Sequence, residues 1–417
     1  MDKTPKGNRL HIALFGRTNV GKSSLLNFFV GQDIAITSPI AGTTTDIVEK
    51  AVELLPLGPV LFLDTAGLDD TSSLSDLRLN KTEKVYKRAD VIFLVTEPDI
   101  WTEYEDMVLD KARSGNIPVL IVINKIDLKD PSSEYLEQLK KKTAHVVPVS
   151  SLDWNSRDTY VETLKRHLIE IAPDDFIQTP TLIGDLLPAG GLAVLVVPID
   201  LQAPKGRLIL PQVQTIRDAL DNDSAALIVK ERELSPLLSY LNRPPDIVVC
   251  DSQAILKVSA DIPKSIPCTT FSILFARQKG DLAAMAEGVT RIETLNPGDK
   301  VLIAEACSHH PLQDDIGRVK IPRWLRQYIG GEVEISVSAG RDYPENLQDY
   351  RLIIHCGACM LTRREMLNRI QQAKEAKVPS TNYGLAISFL QGVIRRTLSP
   401  FPSALMAFDK QMKTLKK

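Results

Sequence analysis

Cysteine and histidine side chains cluster in one part of this 417-residue chain. Three of its five cysteines and three of its six histidines lie between Cys307 and Cys359. They form C-x-H at Cys307 and His309 and, after 45 intervening residues, H-C-x-x-C beginning at His355. Thiolates and imidazoles are ligands of zinc and of iron–sulfur clusters. The grouping therefore predicts a metal site rather than a disulfide framework.

The candidate ligands fall into two sets. The thiolates come from three cysteines: Cys307, Cys356 and Cys359. A fourth ligand could come from one of three nearby side chains: Glu305, His309 or His355. Three cysteines and a histidine are a common structural zinc set, and three cysteines are one short of the usual number for a cubane cluster. The residues alone leave zinc and iron–sulfur open, with an exchangeable fourth position if the metal is iron.

The opposite end of the chain carries a complete phosphate-binding loop. The sequence G-x-x-x-x-G-K-S runs from Gly16 to Ser23, between a short apolar strand and a predicted helix beginning at Ser24. Its glycines, Gly16 and Gly21, let backbone N–H groups turn towards phosphate. Lys22 is predicted to reach the β- and γ-phosphates, and Ser23 is predicted to bind Mg²⁺.

Two further elements predict contacts with the γ-phosphate and Mg²⁺. The G-T-T-T-D segment at 42–46 contains Thr43 and Thr44 and is typical of a switch loop that closes on the γ-phosphate. An apolar strand ends in D-x-x-G, where Asp64 can hold the water shell of Mg²⁺ and the Gly67 N–H can meet the γ-phosphate. The residues predicted to act in GTP hydrolysis are Lys22, Thr44, Asp64 and Gly67.

Guanine recognition is predicted after the apolar strand at 119–123. Asn124-Lys125-Ile-Asp127 follows it, and the Asp127 carboxylate can accept two hydrogen bonds from guanine that adenine cannot donate. Ser150 and Ser151 are predicted to contact the base through backbone groups. Each of the shorter motifs could alone be a surface loop, but four motifs in this order, beginning with the phosphate-binding loop, predict a GTPase.

The remaining sequence predicts an α/β fold with three domains: a P-loop GTPase domain over 1–172, a small α/β domain over 173–270 and a third α/β domain over 271–417. The predicted strands after the first domain are 192–199, 225–229, 246–249, 271–275, 300–305, 332–338 and 351–354, and the predicted helices are 212–221, 234–241, 282–295 and 361–376. Both cysteine groups follow strand ends, where open α/β sheets place their sites. Cys250 and Cys268 are predicted core residues.

Bulk properties give no sign of nucleic-acid or membrane binding. The net charge is −2, and no apolar segment approaches the roughly 20 residues of a membrane span. The first residues lack the apolar stretch of a secretory signal. We therefore expect a cytoplasmic protein with reduced thiols.

The GTPase motifs resemble the Era- and TrmE-like branch of GTPases, whose switch has the form G-T-T-x-D. The resemblance implies that Thr44 contacts the metal and that Asn19 occupies the position at which potassium-dependent members hold K⁺. The K⁺ ion would supply the charge that other GTPases take from an arginine finger. Leu68 follows Gly67 where Ras-type GTPases have glutamine, so no water-positioning side chain is evident.

Joined to the C-terminal cysteine groups, these motifs resemble the HydF family of FeFe-hydrogenase maturation GTPases over the whole chain. The resemblance implies a 4Fe–4S cluster held by Cys307, Cys356 and Cys359. It also implies a GTP-hydrolysing scaffold that assembles or delivers a di-iron precursor, with apo FeFe-hydrogenase and two radical-SAM maturases as partners. A homodimer would form through the domain at 173–270, and the third domain would bind the cluster.

The alternative is an RNA- or ribosome-linked GTPase of the Era and TrmE type with a structural zinc site. The sequence argues mildly against it, because it contains no KH-type G-x-x-G loop and no basic–aromatic surface pattern. Its basic stretches, such as 140–142 and 413–417, are short and typical of solvated faces.

Overall fold

The computed structural model describes residues 6–31, 48–54, 57–64, 76–173, 176, 180–198, 208–306, 315–340, 343–344 and 346–415. The chain divides into two compact units, residues 1–179 and 180–417. Parallel β-sheets form the centre of both units. Within the described residues, no helix has the length and apolar character needed to cross a bilayer.

The first unit contains six strands and five helices among its described residues. The strands are β1 (Leu10–Phe15), β2 (Val48–Leu54), β3 (Gly58–Asp64), β4 (Val91–Thr96), β5 (Val119–Ile123) and β6 (Val146–Pro148). The helices are α1 (Lys22–Val30), α2 (Asp76–Arg88), α3 (Glu103–Ser114), α4 (Ser133–Lys142) and α5 (Arg157–Ile171).

These strands form one sheet in the order β2-β3-β1-β4-β5-β6, parallel except for β2. The central strands are continuous apolar runs because helices cover both of their faces. Phe29, Phe62 and Phe93 pack edge to face on one side. A second apolar layer, which includes Tyr86 and Leu109, covers the other side. The sheet therefore brings the ends of β1, β3, β5 and β6 to one edge.

The second unit contains eight strands among its described residues: β7 (Leu192–Val196), β8 (Ala225–Val229), β9 (Ile247–Cys250), β10 (Cys268–Thr270), β11 (Lys300–Ala304), β12 (Glu334–Ser338), β13 (Leu352–His355) and β14 (Ser380–Asn382). Its helices are α6 (Leu210–Asp221), α7 (Leu234–Tyr240), α8 (Ile255–Asp261), α9 (Phe271–Lys279), α10 (Leu282–Val289), α11 (Ile321–Ile329), α12 (Arg363–Glu375), α13 (Tyr383–Leu390), α14 (Ile394–Leu398) and α15 (Pro402–Leu415).

Two parallel four-stranded sheets organise this unit, in the orders β10-β9-β7-β8 and β12-β11-β13-β14. One continuous apolar core reaches from Leu182 to Phe408 and contacts both sheets. The other face of the second sheet carries a smaller apolar cluster around Leu302 and Ile353. Cys250 and Cys268 are fully buried in the large core, as predicted.

One predicted element is wrong, and a second is a helix with a different end. The segment 271–275 forms the start of helix α9 rather than a strand, because the preceding strand β10 ends at Thr270 and the Thr270 side chain caps the helix by accepting from the Ile273 N–H. A continuous apolar run does not distinguish a buried strand from a buried helix. The predicted helix 282–295 ends at Val289 and continues as a 3₁₀ turn, Thr290–Thr294.

Candidate nucleotide site and metal centre

The phosphate-binding loop links β1 to α1. Gly16 has a φ of 152°, and a Cβ there would lie 2.3 Å from the Val95 carbonyl oxygen, so a larger residue does not fit. Lys22 is buried, and its Nζ donates to the carbonyl oxygens of Gly16 at 2.6 Å and Arg17 at 3.0 Å. These contacts hold the amine inside the loop, where phosphate groups bind in loops of this type.

Asn124 connects the guanine motif to the phosphate-binding loop. Its side chain is fully buried, its Nδ2 donates to the Val20 carbonyl oxygen at 2.9 Å, and its Oδ1 accepts from the Ser151 N–H at 3.1 Å. Gly21 has a φ of 91°, and a Cβ there would lie 2.3 Å from Asn124 Nδ2. Three predicted nucleotide elements therefore form one connected structure.

The guanine-reading residues also lie together. Asp127 Oδ1 accepts a hydrogen bond from Ser150 Oγ at 2.6 Å, which orients the carboxylate. Lys125 has a φ of 65°, and its Nζ lies 2.6 Å from a carboxylate oxygen of Glu97. The residues predicted from the N-K-x-D and S-S motifs thus meet at the carboxyl ends of β5 and β6.

Sequence analysis missed an ion pair behind the loop. Arg17 Nε lies 2.7 Å from an oxygen of Glu105, whose side chain is fully buried. Thr102 and Glu105 form a capping box at the start of α3, so the T-x-x-E spacing predicts the helix position of Glu105. The contact with Arg17 depends on the tertiary fold, and it holds the phosphate-binding loop against α3.

The predicted Mg²⁺ residues are only partly described. Asp64 is buried at the end of β3, level with Leu14 of β1, and Ser23 and Ser24 lie in the first turn of α1. Asn19 has a φ of 65° within the loop. Several predicted residues lie outside the described parts of the chain: Thr43, Thr44, Gly67, Leu68, Cys307 and His309.

The strands that precede the two cysteine groups are neighbours in the second sheet of this unit. Strands β11 and β13 are parallel, and Ala304 pairs with His355. The N–H of Cys356 donates to the Ala304 carbonyl oxygen at 3.0 Å. The chain leading to Cys307 therefore leaves the sheet beside the H-C-x-x-C segment, as the two predicted strand ends required.

The C-x-x-C loop surrounds the Cys356 sulfur with backbone donors. Cys356 Sγ accepts from the N–H groups of Ala306 at 3.1 Å and Ala358 at 3.4 Å. Ala358 has a φ of 51°, which turns the chain between the two cysteines. Thr362 then caps α12 by accepting from the Glu365 N–H. Backbone donors and a nearby helix start both favour a thiolate.

Lys279 is a buried cation next to this loop. Its Nζ donates to the carbonyl oxygens of Leu361 at 2.7 Å, Cys359 at 3.2 Å and Ala358 at 3.4 Å. Burial lowers the pKa of Lys279 to about 8, and the negative charge of a Cys359 thiolate opposes that shift. Burial raises the pKa of Cys359, and the Lys279 charge opposes that shift in turn. The ammonium group therefore favours the thiolate that a soft metal requires.

Side chains alternate between the two faces of a strand, and this alternation places two candidates for the fourth ligand, Glu305 and His355, on opposite faces of the sheet. Ile303 and Ile354 belong to the large core, and Glu305 and Cys356 follow them at two-residue spacing on that face. Glu305 is 2% exposed, and its carboxylate accepts from Arg318 with a shortest distance of 2.7 Å. Glu305 and Cys356 therefore share one side of the sheet end.

Tyr383 lies near both of these side chains. Burial raises its pKa well above the ordinary value, and the charges of Cys356 and Glu305 act in the same direction. Its buried hydroxyl has no hydrogen-bond partner within the described ranges. A Cβ at Gly317 would lie 1.9 Å from this hydroxyl and 3.1 Å from Glu305 Oε1. The donor set at this edge, with its spare hydroxyl and buried ammonium, fits a thiolate-bound metal group.

His355 lies on the opposite face. Its ring stacks on Tyr343 with centroids 5.9 Å apart, next to the smaller apolar cluster around Ile353. Burial and, to a smaller extent, the positive charge of Arg369 together lower the pKa of His355 to about 3, so the ring is neutral at pH 7. Among the described residues, neither ring nitrogen has a hydrogen-bond partner.

Comparison with known families matches three consecutive parts of the chain. Residues 11–125 match the family described as 50S ribosome-binding GTPase. Residues 182–280 match the hydrogen maturase F dimerization domain, and residues 283–400 match the hydrogen maturase F tetramerization domain. The last two matches together cover just over half of the chain.

Similar curated proteins and solved structures match the N-terminal part. The tRNA modification GTPase MnmE of Prochlorococcus marinus (strain NATL1A) is 39% identical over 158 residues, which is 37% of this chain and 34% of that protein. The chain thus spans about a third of the length of that relative. A structure of Aquifex aeolicus Era bound to GDP and AlF4⁻ is 29% identical with a TM-score of 0.32, covering 39% of this chain and 57% of that one. The G domain of the T. maritima FeoB iron transporter is 24% identical with a TM-score of 0.30, covering 39% and 98%.

Proposed function

Because this chain belongs to the hydrogen maturase F family and begins with a GTPase domain, we propose that it is a GTP-hydrolysing scaffold in FeFe-hydrogenase maturation. In this role it carries a 4Fe–4S cluster and assembles or delivers the di-iron precursor. Its partners are apo FeFe-hydrogenase and two radical-SAM maturases, and its compartment is the cytoplasm. The observation that supports this role is the pairing of Ala304 with His355, which brings together the strand ends that precede the two cysteine groups.

GTP is held by residues of the first unit. Asp127, oriented by Ser150, reads the guanine edge, and the Lys22 ammonium neutralises phosphate charge. Ser23 and Asp64 would hold Mg²⁺, which offsets the charge that develops on the phosphates. Hydrolysis serves as a switch in this account, with K⁺ at Asn19 as its activator.

The cluster is held by residues of the second unit. Cys307, Cys356 and Cys359 are the proposed thiolate ligands. The cluster would supply an iron with an exchangeable coordination position. The protein's own contribution is electrostatic: the N–H groups of Ala306 and Ala358 stabilise the Cys356 sulfur, and the Lys279 ammonium offsets part of the negative charge.

Glu305 is the proposed fourth ligand. It shares the Cys356 face of the sheet, whereas His355 occupies the other face against Tyr343. Arg318 holds the Glu305 carboxylate in an ion pair and so competes with a metal for its oxygens. A carboxylate shared in this way makes a weak ligand, and a weak ligand suits a site from which a bound group must leave.

The middle region, proposed as a dimerisation domain over 173–270, offers an edge for a second copy of the chain. Among the described residues, strand β8 is paired on one side only, to β7. Ile228 on this strand is 46% exposed, and Val213 and Leu220 on α6 are also exposed. An apolar strand edge favours pairing with another strand, and the family's dimerization domain covers this region.

Two variants separate the GTP function from the cluster function. Lys22→Ala should abolish GTP hydrolysis and leave the iron content unchanged. Cys356→Ala should remove the iron and leave hydrolysis within about twofold, because the two residues lie in different units. Both variants should fail to activate apo-hydrogenase in an anaerobic maturation assay.

Cys268→Ala is the matched control, because Cys268 is a fully buried core cysteine of the same unit. It should keep hydrolysis, iron and activation. Normal activation of apo-hydrogenase by Cys356→Ala would contradict the carrier role. Loss of iron from Cys268→Ala, with iron retained by Cys356→Ala, would show that the proposed cysteine ligands are wrong.

A further inference from the structure

Two histidines and a glutamate meet at the edge of the first unit that is remote from the nucleotide elements. His145 immediately precedes β6, whereas the guanine-contacting serines follow that strand. His167 and Glu170 lie near the C-terminal end of α5, which runs back along the sheet from its start at Arg157. At 1.5 Å per residue, the ten residues from Arg157 to His167 span about 15 Å. The cluster is therefore separate from the GTP site.

The three donor atoms form a nearly regular triangle. His145 Nδ1 lies 3.1 Å from His167 Nδ1. Glu170 Oε2 lies 3.6 Å from His145 Nδ1 and 3.4 Å from His167 Nδ1. The two rings are nearly perpendicular, at 80°, and all three residues are partly exposed. The triangle is thus open to solvent on one side.

The dimensions of this triangle fit a tetrahedral ion. Zinc bonds to nitrogen and carboxylate oxygen are about 2.0–2.2 Å long, so tetrahedral ligand atoms are about 3.3–3.6 Å apart. A point about 2 Å from all three donors lies roughly 0.7 Å outside their plane, as one face of a tetrahedron requires. The fourth position then points away from the protein and is available to water.

Hydrogen bonding accounts for only one edge of the triangle. One Nδ1–H can donate to the other Nδ1 at 3.1 Å. A carboxylate bonded to an imidazole N–H normally lies at about 2.7–2.9 Å, yet Glu170 lies more than 3.3 Å from both nitrogens. Its oxygen lies at similar distances from the two Nδ1 atoms, which is the arrangement of a shared ligand.

We propose that His145, His167 and Glu170 form a binding site for a divalent transition-metal ion, with zinc as its preferred ion. Imidazole and carboxylate donors suit zinc, and two histidines with one carboxylate also bind iron(II). Such an ion joins the end of α5 to the start of β6. The site is structural for the GTPase unit, and it does not depend on the cluster or on the proposed scaffold role.

Cobalt(II) binding to the full-length chain, loaded anaerobically with iron and sulfide, tests this site. Cobalt replaces zinc and reports its ligands: histidine and carboxylate ligands give weak visible bands, and thiolates add strong near-ultraviolet charge-transfer bands. The wild-type chain should bind one cobalt ion with visible bands alone, and zinc should displace it. His145→Gln and His167→Gln should each weaken binding at least tenfold.

Glu170→Gln is paired with Glu162→Gln, an exposed residue on the same helix, as the matched control. Glu170→Gln should weaken cobalt binding, Glu162→Gln should not, and GTP hydrolysis should be unchanged in both. Zinc should also raise the melting temperature of the wild-type chain more than that of His167→Gln. Equal cobalt binding by the wild type and both histidine variants, or cobalt bands of thiolate character alone, would overturn the proposal. Iron(II) binding in preference to zinc would overturn the ion assignment.

Discussion

Replacing Arg318 by methionine would leave the buried Glu305 carboxylate without its ion-pair partner. All the side-chain hydrogen bonds to Glu305 within the described residues come from Arg318, at 2.7, 3.2 and 3.3 Å. Methionine keeps much of the length and apolar surface of the arginine stem and removes the charge. The variant therefore probes the ion pair more than the packing.

The expected loss of stability is large for a single ion pair. Removing one partner of a buried pair costs about 3–5 kcal/mol, because an uncompensated charge stays in the interior. Arg318 itself is 25% exposed, so water can reach the vacated position and recover part of this cost. We therefore expect the free energy of unfolding of the second unit to fall by about 2–4 kcal/mol.

Arg326→Met is the matched control. Arg326 lies nearby on α11 and pairs with Glu332, but these side chains are 42% and 84% exposed. An exposed pair contributes less than about 1 kcal/mol. Urea unfolding followed by the fluorescence of Trp324, with Trp101 and Trp154 replaced by phenylalanine, reports on the second unit.

The double variant Arg318→Met/Glu305→Gln completes the comparison. It removes both charges and should recover at least half of the loss, because no buried charge remains unpaired. The reasoning would be refuted if Arg318→Met destabilises no more than Arg326→Met, or if the double variant is as unstable as Arg318→Met.

Three further predictions concern other parts of the molecule. Hydrogen bonds from Lys129 and Ser132 lower the pKa of Asp99 from 3.8 to about 2. The contribution of Asp99 to stability is therefore present above pH 3.8 and is lost as the pH falls through 2. Asp99→Asn should remove this pH dependence from melting temperatures measured in the acid range. Ile228→Lys places a charge on the β8 edge and should reduce the mass measured by light scattering to that of a smaller assembly, whereas an unchanged mass would exclude this edge as the interface. Replacing K⁺ by Na⁺ should slow GTP hydrolysis several-fold, and equal rates would remove the role assigned to Asn19.

The nucleotide elements were predictable because each is a local motif. The glycines, Lys22 and Asp127 stand at spacings set by the nucleotide, and apolar strands next to them indicate where they lie in a sheet. The neighbouring positions of the strands that precede the two cysteine groups followed from the same rule, since parallel strands end at a common edge. The strand predicted at 271–275 was wrong because a short apolar run fits a buried helix as well as a strand.

Other features depend on contacts between distant residues. The spacing between Glu305 and Arg318 matches neither the helix nor the strand period, so it does not predict their ion pair. The two residues meet because Arg318 lies in the helical turn that precedes α11. Choosing between Glu305 and His355 as the fourth ligand requires knowing which face of the sheet each side chain occupies. That information comes from strand register and packing. His145 and His167 are 22 residues apart on different elements, so no linear motif marks the triangle they form with Glu170.

The iron and acid-labile sulfide content of the full-length chain after anaerobic reconstitution tests the central claim most directly. The account predicts about four iron and four sulfide per chain, an electron paramagnetic resonance signal after reduction, and loss of all three in Cys356→Ala. One zinc ion bound by the cysteines, with no iron, would contradict it.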